Sequence, residues 1–290
     1  MQTYDSKCSK FLLSAIRAAA LALACGLAFV QMTEARQQSA SAAALSHTAD
    51  GQPNISGLWG TSKVPESVAF DIEGNVPAEE GLLQGHGSLA EQPDPANVVV
   101  DPPIPYRPWA AAVRDANRKN SLNPTKLEQI DSESRCLQRG VPRTSLHVFN
   151  FQVLQIPGYV ILLYGSTNGS RVIPLDGRPH IGADIKLWAG DSVGHWEGNT
   201  LVVDVTNINE HGWYDWAGNF HSNELHLVER WTLVDAKTID YEVTSYDPKV
   251  FTRPWTMKLE YVRSKNQGSE QLESACYEGE KDIAVMLQHQ

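Results

Sequence analysis

The chain carries none of the short signatures that announce nucleotide or thiol-metal chemistry. There is no GxGxxG and no P-loop, so no phosphate-cradling cofactor site is indicated. HExxH, HxH and CxxC spacings are also missing, which removes the compact zinc motifs and zinc-thiolate sites. Positive charge is in deficit: 24 Lys and Arg against 34 Asp and Glu leave a net charge of -10, which argues against nucleic acid and anionic membrane as partners. Long apolar runs are scarce too. The exception, Ala18 to Val30, falls short of the roughly 20 residues that cross a bilayer as a helix.

That run follows Lys7, Lys10 and Arg17 and precedes Thr33-Glu34-Ala35, the layout of a signal peptide spanning residues 1–35. The expected location is periplasmic or secreted, with no membrane anchor left after cleavage. Residues 36–53, rich in Ser, Ala and Gln, read as a flexible leader, and 54–290 as a single β-rich domain. Of only four cysteines, Cys8 and Cys25 leave with the signal peptide. Cys136 and Cys276 remain in an oxidising compartment and are expected to form one disulfide; the competing reading is a catalytic thiol beside a histidine.

What is present is mostly strand pattern. Gly57-Leu58-Trp59 opens a first short strand. Residues 61–108 hold eight prolines and many glycines, which excludes a regular helix or central strand and suggests a long N-terminal arm wrapped over the domain. Helices are expected over 108–118 and 124–134, each opening on a proline. A hairpin follows over 150–156 and 159–164, turning at Pro157-Gly158. Further strands are expected at 171–174, 185–189, 193–197, 200–206, 224–234, 238–246 and 256–263. So many short strands without interleaved helices predict a mainly β fold, an antiparallel barrel or sandwich of lipocalin-like type with a few short helices.

Chemically versatile side chains concentrate between residues 176 and 231. Alternation places Leu201, Val203 and Val205 on one face of a strand and Asp204 on the other. The same rule separates Glu229 from His226 and Arg230. Asp204, His226 and Arg230 are expected to line a polar lumen; the bland alternative is cross-strand pairing on a solvated face. Glu229, on an otherwise apolar face, either pairs with an arginine such as Arg178 or Arg253, or is desolvated into a general acid or base. His180, His221 and His226 with Asp204 or Glu229 compose a possible divalent metal set, though no cofactor is required by the sequence. Trp188, Trp213, Tyr214 and Trp216 suit either a flat apolar ligand or a β core. Gly190-Asp191-Ser192-Val193-Gly194 matches a serine nucleophile elbow, but the residues after it read as strand rather than helix. His195 and His211 read as turn residues.

The combination of Arg135-Cys136-Leu137 with Gly140, Pro142 and Arg143, then Gly177-Arg178-Pro179-His180, Ser192 to Gly194 with Trp196-Glu197-Gly198, His221-Ser222 with Leu225-His226 and Glu229-Arg230, and Asp247-Pro248-Lys249 with Thr252 to Trp255 resembles a large group of exported, poorly characterised bacterial proteins. The likeness spans roughly 54 to 280. The chain departs from the pattern at Ile181, His195 and Asn199, where proline, arginine and aspartate are usual. The resemblance implies a shared β architecture and a site around His180, His221 and His226. The expected activity is acid-base chemistry on a small, partly apolar metabolite, as a lyase, hydratase, isomerase or hydrolase. In that reading His180 or His226 is the base, Asp204 or Glu229 orients it or supplies a proton, and Arg178 or Arg230 stabilises developing charge. The alternatives are a non-catalytic carrier of a small ligand and a metal-dependent enzyme.

Overall fold

The computed structural model describes residues 45–61, 71–73, 98–122, 124–146, 150–165 and 169–265. The chain divides into two units, Met1–Leu45 and Ser46–Gln290, and every element named below belongs to the second. The expected signal peptide, the leader up to residue 44, most of the proline-rich arm and Cys276 lie outside the described residues.

Nine antiparallel strands form one nearly closed, barrel-like sheet: β1 Gly57–Thr61, β2 Phe151–Ile156, β3 Tyr159–Tyr164, β4 Gly169–Pro174, β5 Asp191–Glu197, β6 Thr200–Thr206, β7 His226–Asp235, β8 Thr238–Tyr246 and β9 Trp255–Arg263. Their spatial order is β4-β3-β2-β1-β9-β8-β7-β6-β5. The chain therefore meanders up and down, and its first and last strands are hydrogen-bonded neighbours. The ladder is interrupted mid-sequence, between β4 and β5, where the 175–190 loop leaves the sheet.

The inward face is apolar and aromatic because side chains alternate along every strand. Val153, Val160, Leu162, Ile173, Leu201, Val203, Val205, Leu227, Trp231, Tyr241, Val243, Met257 and Tyr261 are all buried there. Phe151 packs on Trp231 and Tyr261 with ring centroids 5.8 and 4.8 Å apart, and Trp231 stacks on Tyr261 at 5.4 Å. Each such side chain stabilises the fold by about 1.5–3 kcal/mol through burial. The interior is a packed core, which corrects the expectation of a polar lumen lined by Asp204, His226 and Arg230. These three alternate with core residues and face outward.

One polar cluster sits inside that core. The Arg171 guanidinium on β4 donates to both Glu229 oxygens on β7, at 3.0 and 2.7 Å, and to Ser192 Oγ on β5 at 3.0 Å. Tyr241 on β8 donates to Glu229 at 2.7 Å. Glu229 is fully buried and its pair spans the interruption between β4 and β5. Burial alone would lower the Arg171 pKa, but the Glu229 charge outweighs it and the net shift is upward. Close approach across the same seam explains Gly194, where a Cβ would lie 2.8 Å from Ile173 Cγ2.

Helix α1 runs over Pro108–Leu122, four residues past the expected end, and a short α2 over Arg143–Leu146 was not anticipated. The helix expected over 124–134 is instead two separate 3-10 turns, Leu127–Gln129 and Glu133–Arg135. Here Asp131 turns inward to accept from Arg143 at 2.6 Å and from Trp216 Nε1 at 3.1 Å, which breaks any continuous helical face. The strand expected at 185–189 is irregular and makes one isolated bridge, Leu187 to Ile208. Among the described residues no helix is long and apolar enough to cross a membrane.

Candidate functional site

The hairpin joining β5 to β6 turns tightly at Glu197 to Thr200, so Val193 faces Asp204 across the ladder and Asp191 faces Thr206. On the other side Asp204 faces Val228 of β7. Asp204 therefore stands on the outer face between two valines. The 175–190 loop brings His180 over it. His180 Nε2 lies 2.8 Å from Asp204 Oδ1, and His180 Nδ1 lies 2.7 Å from Asp191 Oδ2. His226 completes the string, with Nε2 at 2.7 Å from Asp204 Oδ2.

The order along the surface is thus Asp191, His180, Asp204, His226. Partial burial disfavours the charged form of His180, but the hydrogen bonds to Asp191 and Asp204 outweigh it and raise its pKa above the ordinary imidazole value. With a carboxylate at each ring nitrogen, both nitrogens donate and the imidazolium is the matching form. His226 differs. Asp204 accepts from Nε2-H, which leaves Nδ1 as a lone pair with no hydrogen-bond partner among the described residues. Its ring stacks on Tyr246, centroids 5.3 Å apart, and its side chain is 38% exposed.

Loop geometry keeps His180 in place. Asn207 adopts a left-handed backbone, φ 60°, directly after β6, and its Nδ2 donates to the carbonyls of Gly182 and Ile185 at 2.8 and 2.9 Å. Lys186 Nζ reaches the Asn223 carbonyl at 2.8 Å. The loop so held presents Ile181, Ile185 and Leu187 to solvent.

The remaining expected site residues lie elsewhere. Glu229 is in the core, paired with Arg171 rather than with Arg178 or Arg253. Arg178 is exposed, clamped on Asp176 at 2.7 Å and on the Tyr159 hydroxyl at 3.1 Å. Arg230 pairs with Glu197 at 3.0 Å on the solvated face, and His195, in β5 rather than a turn, pairs with Glu197 at 3.1 Å. Tyr214 is buried and donates to Ser245 Oγ at 3.1 Å; Trp216 donates to Asp131. Trp188 lies beside His211 with centroids 6.0 Å apart, and Trp213 is half-buried in a bridge to Phe220. His221 is 4% exposed and separate from the Asp204 string, its Nδ1 on the Ser222 carbonyl at 3.1 Å. Ser192 accepts from Arg171 inside the core, as a strand residue and not as a nucleophile elbow. Among the described residues no three His, Cys, Asp or Glu are grouped to hold a metal ion.

Sequence reasoning missed Asp191 and Tyr246 as members of the site. The signal for Asp191 was present: the Glu197-Gly198-Asn199 turn fixes the hairpin register, and register places Asp191 on the face of Asp204. No family model matches the chain, and no curated protein matches it.

Proposed function

We propose that the chain is an exported enzyme that acts on a small, partly apolar metabolite by proton transfer, with His226 as general base, as a lyase, hydratase, isomerase or hydrolase. One observation carries this reading: a single carboxylate, Asp204, is shared by the Nε2 atoms of two histidines while Nδ1 of one of them stays open. Asp204 fixes the His226 tautomer and stabilises the imidazolium formed when Nδ1 takes a proton, the role a carboxylate plays behind any histidine base. His180, charged between two carboxylates, offsets the second negative charge and keeps Asp191 and Asp204 from repelling each other. Val193, Val228 and Tyr246 give the array an apolar floor, and the exposed Ile181, Ile185 and Leu187 supply an apolar flank from the loop. These surroundings suit a substrate with a hydrocarbon body.

The test is turnover of a panel of small lyase, isomerase and hydrolase substrates by the purified chain. Alanine at His226 and at His180, made separately, is expected to lower the rate on the order of 10²- to 10⁴-fold in protein that circular dichroism shows to be folded. Full activity in the His226 variant sinks the reading. We further propose export through the residue 1–35 signal and a disulfide between Cys136 and Cys276.

A further inference from the structure

A recess lies apart from the Asp204 string. The first turn of α1, the loop after β6 and the turn after β8 enclose an open cleft of about 580 Å³, lined by Trp109, Glu210, Phe220, His221, Ser222 and Lys249. Its aromatic wall is preformed. Trp109 is 53% exposed and meets Phe220 edge-on at 6.3 Å, while Tyr106 stacks behind Phe220 at 6.0 Å and donates a hydroxyl hydrogen bond to Asn219.

The polar groups are mostly acceptors. Because the Ser222 carbonyl can only accept, the proton of His221 sits on Nδ1 and Nε2 is a lone pair without a partner among the described residues. Burial lowers the pKa of His221 and keeps the ring neutral, and Tyr214 holds it edge-on at 5.4 Å. Glu210 is exposed, makes no hydrogen bond or ion pair among the described residues, and lies within electrostatic reach of both His221 and Lys249. The cation present is already taken: Lys249 Nζ lies 2.9 Å from Glu224 and 3.3 Å from Asn223 Oδ1. Asp247 behind it is saturated by Ser222 N and Oγ and by the Lys249 and Val250 amides. Lining the cleft are therefore the Glu210 carboxylate, the largely buried His221 ring, two aromatic rings and the Lys249 ammonium held by Glu224. A donor-bearing cation with an apolar body meets the carboxylate and the rings together, whereas an anion meets only an ammonium already paired with Glu224.

We propose that this cleft binds a small organic ammonium carrying an apolar ring, its N-H groups donating to Glu210 and its ring lying against Trp109 and Phe220. The inference uses no residue of the proton-transfer string and stands independently of that activity.

Titration of the purified chain with phenethylamine and with 3-phenylpropionate, matched in ring and charge magnitude, reads the site through tryptophan fluorescence and the His221 ring NMR signals. Saturable binding of the amine at least about tenfold tighter than the carboxylate is expected, weakened about tenfold or more in the surface variant Glu210→Gln and restored by Glu210→Asp. Trp109→Ala should also weaken it. Equal or tighter binding of the carboxylate, no binding of either probe, or an amine affinity unchanged by Glu210→Gln would each overturn the proposal.

Discussion

His180 is held between Asp191 and Asp204, whereas His221 is buried against Tyr214 with only a carbonyl at its Nδ1. The two histidines should therefore move stability with pH in opposite senses. The folded pKa of His180 is raised, so its contribution is complete below the unfolded value of about 6.5 and is lost as pH rises through the folded value. The folded pKa of His221 is lowered, so its contribution is complete above about 6.5 and is lost as pH falls through the folded value. Urea unfolding between about pH 5 and 8 checks both. The destabilisation caused by His180→Gln should shrink toward alkaline pH, and that caused by His221→Gln should shrink toward acid pH. Parallel trends would refute the assigned surroundings. That Asp204 and His226 lie on faces opposite the leucines of their strands was legible from alternation, though that reading aimed them at a lumen and grouped with them His221 and Glu229, which lie elsewhere. The hydrogen bonds that Asp204 shares with His180 and His226 were not legible, because His180 arrives on a loop whose path depends on Asn207, and a loop path has no period to read.

At the scale of the element, β7 carries the clearest lesson. A period of two separates His226 from Glu229, and the structure places the first at the surface and the second fully inside. The expected contrast was right and the assignment of inside and outside was inverted, because the aromatic residues Trp231, Tyr241 and Tyr261 claim the interior. Glu229 is tolerated there only through Arg171, Tyr241 and the neighbouring Ser192. Glu229→Ala leaves a buried guanidinium without its carboxylate and should cost about 3–5 kcal/mol in denaturant unfolding. The double variant Arg171→Met with Glu229→Leu should cost less than either single change, since it removes both charges and fills the space. A double variant as unstable as the sum of the singles would mean the pair is not coupled. The 124–134 segment failed as a helix for a related reason: Asp131 and Glu133 are drawn to Arg143 and Arg139, and side-chain pairing of that kind outweighs a weak local helical preference.

The sheet as a whole is a meander closed by its ends and interrupted in its middle. β1 and β9 are laddered together, and Trp59 near the start is covered by the Arg263 guanidinium at 4.3 Å from its ring. The interruption between β4 and β5 is bridged by Arg171, and the loop leaving it carries His180, so the site sits beside the seam of the sheet. A disulfide from Cys136 to Cys276 would tie the tail to the body near the short helices. Non-reducing mass spectrometry of the exported chain should find that bond, and removing it by Cys276→Ser should cost about 4–5 kcal/mol in the loop-entropy account, less any native strain. Two free thiols in the oxidised, exported protein would refute the pairing.

Local pattern was enough to place the sheet strands, though not the irregular 185–189 segment, to read the mainly β class and to find the versatile side chains gathered between residues 176 and 231, because side-chain alternation and turn residues are local properties. Only the tertiary structure decided which face of each strand became the core, which arginine met Glu229 and which histidines shared Asp204. Those choices depend on how the sheet curls and where its seam falls, and curvature is set by packing among residues far apart in the chain.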